Sequence, residues 1–263
     1  MASSYEFIKY EKSDHIAYLT LNRPDVMNAL HPPAHVECAD ALADFEQDTD
    51  SWVMIVTGEG ERAFSAGMDL RYRPAEGAPA VQMPPGGFAG LTNPRHCKIT
   101  KPIIAAIRGY ALGGGLELAM ACDIVVAADT ATLGLPEVKR GIIAGGGGVH
   151  RLPRQLPLKI AMGYLLTGKN ISAEEAQRWG LVNEVVPADE VMDAARRWAS
   201  EITEAAPLSV RASKQAAMSG LEMSLEEAYN TAFPATQALR GSNDSREGVA
   251  AFAERRKPNW TGT

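Results

Sequence analysis

The chain of 263 residues has three cysteines, Cys38, Cys97 and Cys122, widely spaced and without a C-x-x-C pair. This argues against a disulfide framework and a structural zinc site and fits a reduced compartment, each thiol reading as a small buried or half-buried side chain. No apolar run approaches the roughly 20 residues that span a bilayer. The polar start, Met1 to Lys9, lacks a basic stretch followed by an apolar one, so no secretory signal is read. Together these absences point to a cytoplasmic protein with no membrane partner. Positive charge is also scarce. The formal net charge is −6, and the first amphipathic stretch, Glu37 to Asp50, is acidic, the wrong sign for nucleic acid. The five histidines, His15, His31, His35, His96 and His150, show no metal-ligand spacing; His31 and His35 make an H-x-x-x-H without further ligands nearby, so no metal is expected.

Hydrophobic residues make up 46% of the chain, ordinary for a globular protein, and the length fits one large domain with an appendage. His15 to Leu21 reads as a strand that stops at Asn22-Arg23-Pro24. Cys38, Ala41, Leu42 and Phe45 recur at helical spacing after Pro32-Pro33. Trp52 to Val56, Ile103 to Ile107 and Asp123 to Ala127 read as buried strands, with connections long enough for helices, so the class is α/β. Arg71 to Pro94, rich in Pro, Gly and Ala, reads as a long surface loop. From about Leu156 the chain turns helical. Capping-box patterns stand at Ser172 to Glu175 and Ser224 to Glu227, Gly180 stops a helix, and Ala188 to Ala205 and Leu208 to Leu221 are helical. Gly241 to Ser245 reads as a hinge before the last amphipathic stretch, Arg246 to Arg256.

Three places can carry chemistry. Gly113-Gly114-Gly115-Leu116-Glu117 lies between a strand and an apolar helical run. Glycines there let a ligand approach the backbone, and free N–H groups at a helix start can hold a developing negative charge, although tight helix–strand packing explains them as well. A dinucleotide fingerprint fails, because Leu118 stands where the third glycine is needed. Gly145 to Gly148 is the second cluster, preceded by Leu135-Pro136-Glu137. Glu117 and Glu137, each near a glycine-rich turn, are the pair that proton transfer to and from a water requires, and burial with mutual repulsion raises their pKa values toward working pH. The third place is Ala63 to Leu70. It lacks a G-x-S-x-G elbow, so Ser65 is a poor nucleophile.

In order along the chain, several segments resemble the enoyl-CoA hydratase/isomerase (crotonase) family. These are Leu21-Asn22-Arg23-Pro24 with Met27-Asn28-Ala29-Leu30, Ala63 to Leu70, Gly109 to Ala119, Leu135-Pro136-Glu137, Leu166-Thr167-Gly168 and Ala251 to Arg256. The resemblance implies a crotonase-like spiral of ββα repeats over residues 1–203, with the site for the coenzyme A thioester. It also implies a C-terminal helical segment, 204–263, that assembles trimers, often paired as hexamers. By similarity, the N–H groups of Met68 and Gly114 form an oxyanion hole for the thioester carbonyl. Glu117 and Glu137 match the two catalytic glutamates, and Gly145 matches a glycine whose N–H positions the water. Ala66 and Met68, Asp69 and Leu70 resemble backbone contacts to adenine and pantetheine, Met27 matches a neighbouring contact, and Arg255 reaches the coenzyme A of an adjacent subunit. No cofactor is implied; coenzyme A is part of the substrate.

Both glutamates together point to hydration of a 2-enoyl-CoA. Isomerases and thioester hydrolases of the family commonly lack one, and the acidic Glu37 to Asp50 helix speaks against an RNA-binding relative. Ala144 stands where many hydratases have Pro, and Gly146 to Gly148 is richer in glycine than usual. Gly86 to Thr92, Arg178-Trp179-Gly180 and Lys257-Pro258-Asn259-Trp260 resemble the carnitinyl-CoA dehydratase branch, which stays open as an alternative. Arg140, Arg151 and Arg154 read as solvated surface, and Trp179 and Trp198 as packing residues.

Overall fold

The computed structural model describes residues 5–74, 76–77, 81–97 and 99–263. Strands β1 (Ile8–Ser13) and β2 (Ile16–Leu21) form an antiparallel hairpin. It turns at Asp14 and His15, both at positive φ, the pairing a tight hairpin needs. Strand β1 is not signalled by hydrophobic pattern, because as an outer strand it buries only Ile8 fully. Helix α1 (Pro32–Gln47) follows, entered by Pro at its first turn and burying Ala34, His35, Cys38, Ala41, Leu42 and Phe45. Its acidic face is spent internally. The Glu37 carboxylate accepts the N–H groups of Glu6 and Phe7, and Asp44 accepts the Tyr10 hydroxyl.

The chain then alternates between two sheets. Strands β3 (Val53–Gly58), β5 (Ile103–Ile107), β7 (Ile124–Ala128) and β10 (Glu184–Val186) extend β1 and β2 into a six-stranded sheet, ordered β1-β2-β3-β5-β7-β10 and parallel from β2 onward. Strands β4 (Ala63–Ser65), β6 (Tyr110–Leu112), β8 (Thr132–Gly134) and β9 (Asn170–Ser172) form the second sheet in that order. Each turn of the chain places one strand in the first sheet and the next in the second, which is the spiral of ββα units. The β3 and β5 strands are buried on both faces and read as continuous apolar runs for that reason.

Helices α2 (Gly114–Ala119), α3 (Gly148–Gln155), α4 (Leu158–Thr167) and α5 (Ala173–Arg178) fill the later turns, and α6 (Val191–Thr203) packs across β3, β5 and β7. Helices α7 (Pro207–Gly220), α8 (Leu225–Asn230), α9 (Pro234–Leu239) and α10 (Asn243–Glu254) close the chain, with α7 against α8 and α9. Ser224 and Glu227 form a reciprocal capping box at α8, and Ser172 accepts the Glu175 N–H at α5. Only Gly241, at φ +78, turns the chain before α10. Ser242 caps that helix by accepting the Ser245 N–H at 3.0 Å, so most of the expected hinge is helix. Of the 71–94 stretch, Ala75 and residues 78–80 lie outside the described residues, as do residues 1–4 of the polar start; Phe88–Gly90 forms a short 3-10 turn packed on α1. No helix among the described residues is long and apolar enough to cross a membrane.

Candidate functional site

A cleft of about 1030 Å³ opens where the two glycine clusters meet the turn after β4. The first wall is built by Asn28. Its amide donates to the carbonyls of Ala63 at 2.7 Å and Glu59 at 3.0 Å, and its Oδ1 accepts the Arg23 N–H at 2.9 Å. This ties the Met27 turn to β4, where the Ala66 N–H donates to Met27 O at 2.9 Å. Leu30 and Met68 pair as a short parallel bridge: the Leu30 N–H donates to Gly67 O and the Asp69 N–H to Leu30 O. Successive N–H groups of extended chain point to opposite sides, so the Met68 N–H faces away from Leu30. It has no partner among the described residues.

Gly67, at φ +88, brings the second donor close. A Cβ there would stand 2.7 Å from Gly114 N. Gly114 opens α2, so its N–H has no acceptor within the helix. Met68 and Gly114, which carry these two N–H groups, line the same cleft. Phe88 covers the Gly114 backbone so closely that a Cβ on Gly114 would lie 2.4 Å from the ring. Phe88 is held in turn by Thr92, whose hydroxyl accepts its N–H at 2.8 Å, and by the edge of the His35 ring at 4.5 Å. His35 Nδ1 accepts the Ala89 N–H at 2.8 Å.

Glu117 follows Gly114 by one helical turn and is 4% exposed. Its Oε1 accepts the Gly148 N–H at 2.8 Å. A Cβ at Gly146 would come within 2.4 Å of Oε2, and one at Gly148 within 3.0 Å of Oε1, which accounts for the glycine run around this carboxylate. Burial pushes the Glu117 carboxyl up, opposed by the Gly148 N–H, and the Glu137 charge adds to the rise. Glu137 enters from the 3-10 turn Pro136–Arg140, its Oε1 near 3.1 Å from where a Cβ on Gly113 would be. Its Oε2 is buried without a partner among the described residues. Burial raises this carboxyl as well. Two carboxyl groups held above their usual range, in one cleft with the backbone N–H groups of Met68 and Gly114, are groups suited to bind a polarised carbonyl and exchange protons with a water.

Met27, Ala66, Met68, Asp69, Leu70, Gly114, Glu117, Glu137 and Gly145 all line this cleft; Arg255, at the C-cap of α10, does not. Two details bear on these expectations. The Gly145 N–H donates to Ile143 O at 2.8 Å in a tight turn, so it is already engaged rather than free for a water. The Asp69 N–H is spent on Leu30 O, and its carboxylate pairs with Arg23 at 3.0 Å, so Asp69 acts here as an anchor of the Met68 turn. Ser65 is fully buried, donates to Asn28 O and accepts the Gly67 N–H, a pin rather than a nucleophile. Of the arginines read as surface, Arg140 lines the cleft and Arg151 is half-buried under Gly147. Phe88, His35 and Arg140 are the site residues that sequence reasoning did not place. The H-x-x-x-H spacing marked His35 but not its acceptor role. No group of three or more His, Cys, Asp or Glu side chains able to hold a metal occurs among the described residues.

The enoyl-CoA hydratase/isomerase family model matches residues 11–263. The chain is 44% identical over 262 residues to (E)-benzylidenesuccinyl-CoA hydratase of Thauera aromatica, covering 97% of this chain and 99% of the relative. It is 42% identical to carnitinyl-CoA dehydratase of Salmonella arizonae, covering 98% and 99%. The crystal structure of an enoyl-CoA hydratase from Mycobacterium tuberculosis superimposes with a TM-score of 0.89 at 42% identity, over 98% of this chain and 99% of that one.

Proposed function

Since this chain belongs to the enoyl-CoA hydratase/isomerase family, and is an enzyme of its hydratase type, we propose that it catalyses reversible addition of water across the 2,3 double bond of a 2-enoyl-CoA. The observation that carries this reading is the pair of buried glutamates, Glu117 and Glu137, both raised, beside the free N–H groups of Met68 and Gly114. The thioester carbonyl accepts those two N–H groups. Attack at the β-carbon moves charge onto that oxygen, and fixed donors there contribute about 3 kcal/mol to the transition state.

Glu117 is the better base, because the Gly148 N–H stabilises its ionised form. It takes a proton from the water as the hydroxyl joins the β-carbon. Glu137, whose buried Oε2 has no hydrogen-bond partner among the described residues, delivers a proton to the α-carbon of the enolate. The sum is one water added. Coenzyme A lies along Met27, Ala66 and Leu70, whose turn is open to the cleft. No separate cofactor enters this chemistry.

We further assign residues 1–203 to the catalytic core and 204–263 to an oligomerisation segment, with a homotrimer or a paired hexamer as the working form. Met218, Leu221, Leu225, Tyr229, Val249 and Phe252 on or beside α7, α8 and α10 are exposed, Phe252 by 89%, and supply apolar side chains for contacts between subunits. Arg255 then meets the coenzyme A of a neighbouring subunit. The three cysteines are free, in keeping with a cytoplasmic location.

The test is the absorbance of the enoyl-thioester band while purified protein is mixed with crotonyl-CoA. A loss of the band that depends on both glutamates supports the reading. No loss with short, long or branched enoyl-CoAs, despite thioester binding, moves it to an isomerase or hydrolase.

A further inference from the structure

The cleft contains a cation that the reaction does not use. Arg140 ends the 3-10 turn Pro136–Arg140. Side chains three residues apart in a 3-10 helix lie over one another, so Arg140 shares the face from which Glu137 enters the cleft. Both residues line it, and the Arg140 charge works against the burial that raises the Glu137 carboxyl. The guanidinium is exposed. Its hydrogen bond is a 3.4 Å contact to Pro136 O in its own turn, and no carboxylate among the described residues forms an ion pair with it. Arg23, by contrast, is matched by Asp69.

Position separates Arg140 from the other cations of the cleft. Arg62 and Arg71 flank the strand and turn that carry Ala66 and Leu70, the end assigned to coenzyme A. Arg140 stands on the Glu137 side, followed by the cleft-lining Ile142 and Ile143. A substrate that presents its double bond to the glutamates therefore extends its acyl group, not its phosphates, past this guanidinium. Ile142 and Ile143 supply apolar lining there, beside a positive charge that no carboxylate among the described residues pairs with.

We propose that Arg140 pairs with a carboxylate on the acyl group, so that the preferred substrates are 2-enoyl-CoA thioesters with an anionic acyl chain and cationic acyl groups are rejected. This rests on the hydratase reading above. A guanidinium offers two parallel N–H donors to a carboxylate and only repulsion to a quaternary ammonium.

The experiment compares kcat/KM for crotonyl-CoA, 4-carboxycrotonyl-CoA, 3-carboxycrotonyl-CoA and 4-trimethylammoniocrotonyl-CoA in the wild type, R140Q and R140E. The wild type should favour at least one carboxylated thioester over crotonyl-CoA by about tenfold or more and disfavour the ammonium compound. The Arg140→Gln protein should bring these ratios close to one, and Arg140→Glu should invert them. Ratios that are equal in all three proteins overturn the assignment. So does an R140Q effect confined to a shifted pH profile common to every substrate, which would mean that Arg140 acts only through Glu137. If the wild type hydrates none of the four and none of the long or branched enoyl-CoAs, the hydratase reading fails instead. Calorimetric binding of glutaryl-CoA against butyryl-CoA then decides Arg140 alone: a preference for glutaryl-CoA lost in R140Q supports it, and equal affinities overturn it.

Discussion

The ring of Phe88 occupies the space beside Gly114 so fully that a Cβ on the glycine would lie 2.4 Å from it. The proposed oxyanion donor is thus held between the Gly67 turn and an aromatic side chain from a distant loop. Gly114→Ala should force the ring and the Gly114 N–H apart. The expected result is a fall in kcat of about 100-fold or more with a much smaller change in KM. Adding Phe88→Ala should recover part of that loss, and a double-mutant cycle measures the coupling.

Each glutamate should matter separately. Glu117→Gln and Glu137→Gln should each lower hydration of the best enoyl-CoA by about 10² to 10⁴, and the double variant should lose less than the product of the two. Stopped-flow traces of the enoyl band check this. Undiminished hydration in either single variant would sink the two-carboxylate mechanism.

His35 should make stability depend on pH. It is fully buried, and burial, with His31 adding to it, pushes its pKa down to about 4. The neutral ring accepts the Ala89 N–H at Nδ1. Between the ordinary value near 6.5 and about 4, the unfolded chain binds a proton that the folded one refuses. Stability from this group is therefore complete above about pH 6.5 and is lost as pH falls toward 4, by about 3 kcal/mol at most. The raised glutamates act in the opposite sense, so the comparison is with His35→Asn, which keeps an acceptor without a charge. Denaturant unfolding at pH 7.5 and pH 5 should show a smaller loss in that variant.

Arg23 and Asp69 pair at 3.0 Å with side chains 17% and 12% exposed. Burial pushes the Asp69 carboxyl up, but the Arg23 hydrogen bond and charge, together with the Arg71 and Tyr72 N–H groups, outweigh it and hold the group below its ordinary value. Asp69→Ala leaves the guanidinium uncompensated and should cost about 2 to 3 kcal/mol. Because Asp69 anchors the Met68 turn, KM for the thioester should rise more than stability alone explains. An Asp69→Ala protein with unchanged KM would detach the pair from the site.

Much of this architecture is legible in the chain. Ile103 to Ile107 is a strand over the same residues that its apolar run marks, because a strand buried on both faces has no polar alternation to blur it. Glu117 and Glu137 beside glycine clusters, and Met68 with Gly114, were marked by motif, and the fold brings them into one cleft. The second sheet was not legible. Its strands are three residues each, too short to show a period, and they exist because successive spiral turns pair them.

Composition and pattern determined the α/β class, the net negative charge and the residue types available for proton transfer. Only the tertiary structure decided which groups remain free there. It spent the Gly145 N–H on Ile143 and the Asp69 N–H on Leu30, and left those of Met68 and Gly114 without a partner among the described residues. It seated Phe88 on Gly114 and placed Arg140 at the cleft with no ion-pair partner among the described residues. The physical reason is that local periodicity reports which face of an element is buried. Whether a particular N–H or charge is already satisfied depends on segments far away in sequence, which meet only once the spiral has closed.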